Sequence, residues 1–234
     1  MLSLDEKSRY ERHLIVPDFG EAEQLKLKNA RILVVGAGGL GSAVLSYLTA
    51  AGIGCIGIVE FDSVSISNLQ RQTLYTTPDL NAPKAETAAK RLSALNPHTR
   101  IVTHAVRLTD SNAEGIFGDF DAVVDCTDNY ATRYVIDRHC QKLNRPMVYG
   151  TAQECGGQVS VFHWNGAGSY AALYPETVAG ADKMPVGVLS PMPGIVGCIQ
   201  ALEVLKITAG YGQPLAGRLL TIDAKTMEFS VFKL

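Results

Sequence analysis

From residue 31 to about residue 150, short uninterrupted apolar runs alternate with longer stretches in which apolar side chains recur at helical spacing. Residues 32–35 form the first run, 43–51 read as a helix, and 55–59 form a second run. Runs of four or five residues rich in valine and isoleucine fit strands covered on both faces. Pro83 suits the first position of a helix reaching Leu95, because a missing N–H costs nothing there. Residues 101–106 follow as a strand, 122–126 as another, 131–143 as a helix, and 146–149 as a strand opening on Gly150. This alternation predicts an α/β fold with a Rossmann-like, mostly parallel, doubly wound sheet.

The period changes after Gly150. Residues 158–164 alternate with period two, while 218–223 and 228–232 read as a closing pair, so the sheet gains a C-terminal antiparallel extension. Residues 195–209 between them read as a helix stopped by Gly210. Segment 174–193 holds four prolines together with Gly180 and Gly187, which predicts a long crossover loop able to serve as a lid. Residues 1–29 read as a helical arm, and with no repeat or linker in view the span 1–234 reads as a single domain.

The composition is 47% hydrophobic and 19% charged, enough to bury a full core. A formal net charge of -2 supplies no general attraction to nucleic acid or to anionic lipid. The first ten residues mix acids and bases without an apolar stretch, which predicts a cytoplasmic protein. The five cysteines form no CxxC and are expected to be reduced and mostly buried. Residues 32–59 run for 28 positions without a charge, a length that exceeds a membrane span, yet seven glycines divide them into strand, turn, helix and strand.

The chemistry concentrates at the ends of the apolar runs. VVGAGGLG sets Gly36, Gly38 and Gly41 at GxGxxG spacing between strand and helix, with Glu60 closing the next strand. Glycine lets the backbone approach a phosphate while the helix N-terminus offers N–H groups, and the acid can bond ribose hydroxyls. The motif alone admits ATP or a dinucleotide. EFDSVSISNLQRQ then places Asp62, Asn68, Gln70 and Arg71 at the nucleotide edge, followed by Lys84, cations suited to a triphosphate. DAVVDCTDN puts Asp128 and Asn129 at the carboxyl edge of a later strand, where one carboxylate can hold Mg2+ or cap the next helix. An NAD-dependent oxidoreductase would share the glycines and the acid but has no use for the Arg71 and Lys84 pair.

Taken together, RYERH, GAGGLG, SNLQRQ, APK, DCTDN and GVLSPMPGIVGCIQALEVLK resemble the ThiF/MoeB/HesA family, relatives of the ubiquitin-activating enzymes, over nearly the whole chain. The resemblance implies an adenylyltransferase that uses ATP and Mg2+ on the C-terminal Gly-Gly of a small ubiquitin-like sulfur-carrier protein. It implies roles for Gly39, Glu60, Asn68, Arg71, Lys84 and Asp128 at the nucleotide, and a homodimer in which Arg12 enters the partner's site. Glu60 stands where the family usually has Asp. Ser169 and Ala172 stand where a first zinc-binding CxxC would be, so no structural zinc is expected. Lys183 stands where the crossover loop often has an acyl-accepting cysteine, so adenylation without a thioester step is expected, and a non-catalytic nucleotide-binding scaffold is the further alternative.

Overall fold

A computed structural model describes residues 1–176 and 187–234. The chain opens with α1 (Leu4–Arg9), α2 (Glu11–Leu14) and α3 (Glu21–Asn29), and then enters β1 (Arg31–Val35), α4 (Gly39–Ala51) and β2 (Cys55–Val59). Next come α5 (Lys84–Leu95), β3 (Arg100–His104), α6 (Asp110–Phe117), β4 (Ala122–Asp125), α7 (Tyr130–Leu143) and β5 (Met147–Gln153). The described chain closes with β6 (Gly156–Phe162), α8 (Tyr170–Leu173), α9 (Pro191–Ala209), β7 (Arg218–Asp223) and β8 (Glu228–Lys233).

All eight strands join one sheet in the order β3-β2-β1-β4-β5-β6-β7-β8. The first five are mutually parallel, and β6, β7 and β8 pair antiparallel. Ile32 and Val34 point into a core shared with Leu45 and Leu48 of α4, Leu92 of α5 and Val196 and Val204 of α9. Leu33 and Val35 point the other way, towards Phe117 of α6, Tyr134 and Ile136 of α7, and Tyr149. Both faces of β1, β2 and β4 are therefore covered, which is why these strands read as continuous apolar runs. By length and composition α9 is apolar enough to cross a membrane, but here it is a core helix laid under β5 and β6.

Several boundaries differ from the sequence reading. α4 begins at Gly39, at the glycine motif itself, and Pro83 is the N-cap of α5 rather than its first helical residue. β5 continues through Gly150 to Gln153, because that glycine makes room for a side chain: a Cβ there would lie 2.3 Å from Gln200 Cδ. α9 starts at Pro191, inside the expected loop 174–193, with prolines at positions that need no N–H. α6 was not anticipated, since DSNAEGIF offers only Ala113, Ile116 and Phe117 as an apolar face. The rest of the expected lid, residues 177–186, lies outside the described residues.

Candidate active site

In the order 3-2-1-4-5 the chain leaves β1 in one direction and returns to its other side at β4, which opens a crevice beyond the carboxyl ends of those two strands. A cleft of about 370 Å3 occupies that crevice. Gly36, Gly38, Gly39, Glu60, Asp62, Asn68, Arg71, Lys84, Asp128 and Asn129 all line it.

The glycine loop is shaped by close approaches. Gly36 has a φ of 95°, and a Cβ on it would come within 2.7 Å of the Cys126 carbonyl oxygen. Gly41 lies outside the cleft lining: a Cβ there would sit 2.2 Å from the Gly36 oxygen, so this glycine packs α4 onto the loop. α4 presents its N-terminus to the cleft with Gly38 as N-cap and no acidic residue in its first turn, which leaves its dipole available to an anion.

Glu60 holds the loop rather than standing clear of it. Its Oε2 accepts from Ala37 N at 2.9 Å, and its Oε1 from Phe61 N at 2.8 Å and Asp62 N at 2.9 Å. Tyr75 adds a second tie, donating its hydroxyl to the Ala37 oxygen at 2.9 Å. Burial pushes the Tyr75 phenol well above its ordinary range, so it stays a donor.

The cations sit opposite. Lys84, in the first turn of α5, is only 4% exposed, and its Nζ lies 3.5 Å from Asp62 Oδ2, a loose pair for an ammonium taken out of water. This decides against the reading of Lys84 as a solvated surface charge. Arg71 donates from Nη1 to the Ser67 oxygen at 3.1 Å and runs beside Gly39. Asn68 accepts from Ser65 N at 3.2 Å, closing the turn that carries Arg71.

Asp128 is exposed to the cleft, and among the described residues no cation pairs with it. The helix-capping alternative goes to its neighbour, since Asn129 Oδ1 accepts from Thr132 N at 2.9 Å as the N-cap of α7. Among the described residues no group of three or more His, Cys, Asp or Glu side chains converges on a metal. Mg2+ fits such a cleft nonetheless, because one or two carboxylates suffice when phosphate oxygens and water complete its octahedron.

Two expected residues are placed elsewhere. Gln70 is exposed and outside the lining, and its carbonyl accepts from the Ser190 hydroxyl. Gln72 takes its place: it is 5% exposed, faces Gly38, and its Oε1 has no partner among the described residues. Arg12 is exposed on α2 and does not line its own chain's cleft. The sequence reading also passed over Phe61 and Arg107, which stack at the rim with the guanidinium 4.1 Å from the ring centroid. Their only signal was a position just past the ends of β2 and β3.

Cys126 lines the same cleft, but burial raises its thiol well above the ordinary range, which removes it as a thiolate nucleophile at neutral pH. Ser169 caps α8 by accepting from Ala172 N at 3.0 Å, so the two positions where a zinc-binding pair was considered form a helix start. On the other side of β5 a larger cavity of about 570 Å3 is walled by Tyr130, Arg133, Tyr149, Gln158, Tyr170 and Tyr174. It lacks the glycine loop and the Lys84 and Arg71 pair, which line the smaller cleft.

Comparison with known proteins adds the decisive finding, for a model of the ThiF family matches residues 10–234. The chain belongs to the ThiF family. This ThiF-family chain is 45% identical to a sulfur carrier protein adenylyltransferase of Thermus thermophilus, over 96% of the chain and 86% of that protein. It is 44% identical to a probable adenylyltransferase/sulfurtransferase MoeZ of Mycobacterium tuberculosis, over 97% of the chain and 60% of that protein. Against the Drosophila grimshawi adenylyltransferase and sulfurtransferase MOCS3 it is 44% identical and spans 52% of that protein, about half its length. Among solved structures, PaaA superposes with a TM-score of 0.85 at 21% identity, covering 99% of this chain and 74% of that one. Escherichia coli MccB with ATP gives 0.81 at 21% identity, covering 91% and 65%. These two likenesses bear on the fold.

Proposed function

We propose that this ThiF-family adenylyltransferase activates the C-terminal carboxylate of a small ubiquitin-like sulfur-carrier protein, using ATP and releasing pyrophosphate. The observation that carries the reading is the convergence of the buried Lys84, Arg71 and the uncapped N-terminus of α4 on one cleft, with Asp128 facing them. A pyrophosphate bridge can be held by backbone N–H groups alone, whereas two further cations suit the charge of a triphosphate. The names of relatives at 45% and 44% identity favour a sulfur carrier as the acceptor.

The attacking nucleophile belongs to the carrier. One of its carboxylate oxygens bonds to the α-phosphorus, the bond to the bridging oxygen breaks, and pyrophosphate departs with that electron pair. The protein's task is to align the groups and offset charge. Lys84 and Arg71 are placed to neutralise the departing phosphates, and α4 donates N–H groups towards the α-phosphate. Asp128 would hold Mg2+, which supplies charge neutralisation across phosphate oxygens when bound. The tyrosine-walled cavity beyond β5 offers hydroxyl and amide groups to the backbone of an extended Gly-Gly tail. A homodimer would bring Arg12 of one protomer to its partner's cleft, consistent with its exposure and its absence from the lining of its own.

ATP–pyrophosphate exchange tests this. Exchange is expected only when a carrier ending in Gly-Gly is present, and Asp128→Ala is expected to abolish it. Full exchange in that variant removes Asp128 from the mechanism, and exchange without any carrier removes the acceptor.

A further inference from the structure

Among the described residues Asp128 makes no ion pair or side-chain hydrogen bond that explains how its side chain is aimed, yet the backbone before it is held with unusual completeness. Asp125, at the end of β4, is fully buried. Its Oδ1 accepts from Thr127 N at 2.9 Å and from Thr127 Oγ1 at 2.6 Å. Arg133, in the first turn of α7, is 6% exposed, and its Nη2 donates to the Thr127 oxygen at 2.9 Å and to Thr151 Oγ1 at 3.1 Å. Its Nε stands 3.3 Å from Asp125 Oδ2, an ion pair without hydrogen-bond alignment, and neither of those two atoms has another partner among the described residues. The rings of Tyr130 and Tyr149 lie 5.8 Å and 5.5 Å from the guanidinium carbon and fix its plane.

Thr127 is therefore gripped at its N–H, its hydroxyl and its carbonyl. On the other side of Asp128, Asn129 is fixed as the N-cap of α7. Burying two charges to secure one turn is expensive when apolar side chains would fill the same volume at no desolvation cost. A turn that needed only to connect β4 to α7 would not require it. What the arrangement does provide is a fixed direction for the side chain between the two anchored residues.

We propose that Arg133 and Asp125 are positioning residues for Asp128, setting the pose in which its carboxylate meets the metal–nucleotide complex. The proposal rests on the reading of Asp128 as the magnesium-binding carboxylate. Residues that orient a metal ligand commonly change metal affinity by about 10–100-fold when removed. The guanidinium also walls the second cavity, so it links that cavity to the Asp128 turn.

The test measures binding and not turnover. The dissociation constant of a non-hydrolysable ATP analogue is measured on the full chain with and without saturating Mg2+, and the ratio gives the factor by which the metal tightens binding. Asp128→Asn is expected to reduce that factor by about tenfold, Arg133→Met by a similar amount, and the double variant by no more than Asp128→Asn alone. Arg133→Lys keeps the charge but cannot reach Thr127 and Thr151 together, and it is expected to fall between wild type and Arg133→Met. The ratio, not the metal-free value, carries the test, because Asp128→Asn also removes a negative charge beside the phosphates and so alters metal-free binding by itself.

If Asp128→Asn lowers the factor and Arg133→Met leaves it at the wild-type value, the positioning role is overturned while the metal reading stands. An unchanged factor in Asp128→Asn overturns the metal reading itself, and additive losses in the double variant show that Arg133 acts by another route. Should Arg133→Met fail to fold, Thr127→Val removes the hydroxyl that Asp125 holds without disturbing the ion pair. A reduction of about threefold is then expected, and a wild-type factor overturns the proposal.

Discussion

Glu60 shows how a residue of the expected type can carry structural work that its motif does not announce. Its two oxygens accept three backbone N–H groups, from Ala37, Phe61 and Asp62, and so brace the glycine loop against the end of β2. Glu60→Gln would turn an NH2 group towards at least one of those donors. It is expected to lower stability by about 1–3 kcal/mol and to weaken ATP binding, measured by thermal denaturation and analogue titration. Gly41→Ala forces a Cβ against the Gly36 oxygen and should destabilise by about 1–3 kcal/mol while leaving the charges of the cleft untouched. The residues most legible in the sequence were those whose type is itself the signal: glycines between strand and helix, Lys84 at a helix start, Asp128 at a strand end. Gln72, Tyr75 and Arg133 were not, because a glutamine, a tyrosine and an arginine acquire such roles only when tertiary packing buries them beside the loop.

At the scale of elements, β1, β2 and β4 could be read to within a residue because burial on both faces leaves an unbroken apolar run. α6 escaped because a helix of only two turns shows too short a stretch of period, and Gly115 lowers its helix propensity. β5 appeared to end at Gly150 because a glycine after a strand usually marks a turn, whereas this one accommodates Gln200 from α9. Gln200 is fully buried and donates from Nε2 to the Asp125 oxygen at 2.7 Å and the Val148 oxygen at 3.2 Å, joining α9 to β4 and β5. Gln200→Leu keeps the volume but withdraws the donor from two buried carbonyls, and about 1–3 kcal/mol of stability should be lost in denaturant titration.

Within the N-terminal arm, α1 is tied to α3 by a different device. Glu6 is buried and pairs with Lys28 at 2.7 Å, and the Lys28 hydrogen bond, with help from the Ser3 N–H, lowers its carboxyl from 4.5 to about 2. A depressed folded-state value means that the contribution is complete above pH 4.5 and disappears as the pH falls towards 2. Lys28→Met should therefore destabilise the protein at neutral pH and flatten its acid-unfolding curve across that window. The effect should be no more than about 2 kcal/mol, since the lysine end is partly solvated.

For the whole molecule, the cleft at the β1 and β4 crossing is formed within one chain, and Arg12 is absent from its walls. If a homodimer supplies Arg12 from the partner, Arg12→Ala and Asp128→Ala are each inactive, yet mixing them after subunit exchange restores about one quarter of wild-type exchange activity, through the one intact site in each mixed dimer. No recovery on mixing would place Arg12 outside the catalytic assembly. The central claim concerns the acceptor, and intact-mass spectrometry of a Gly-Gly-terminated carrier protein after incubation with this chain, ATP and Mg2+ tests it most directly. The account predicts a mass gain of one adenylyl group on the carrier, lost when its terminal glycine is removed. A carrier of unchanged mass while ATP is consumed, or an adduct that survives removal of that glycine, would contradict it.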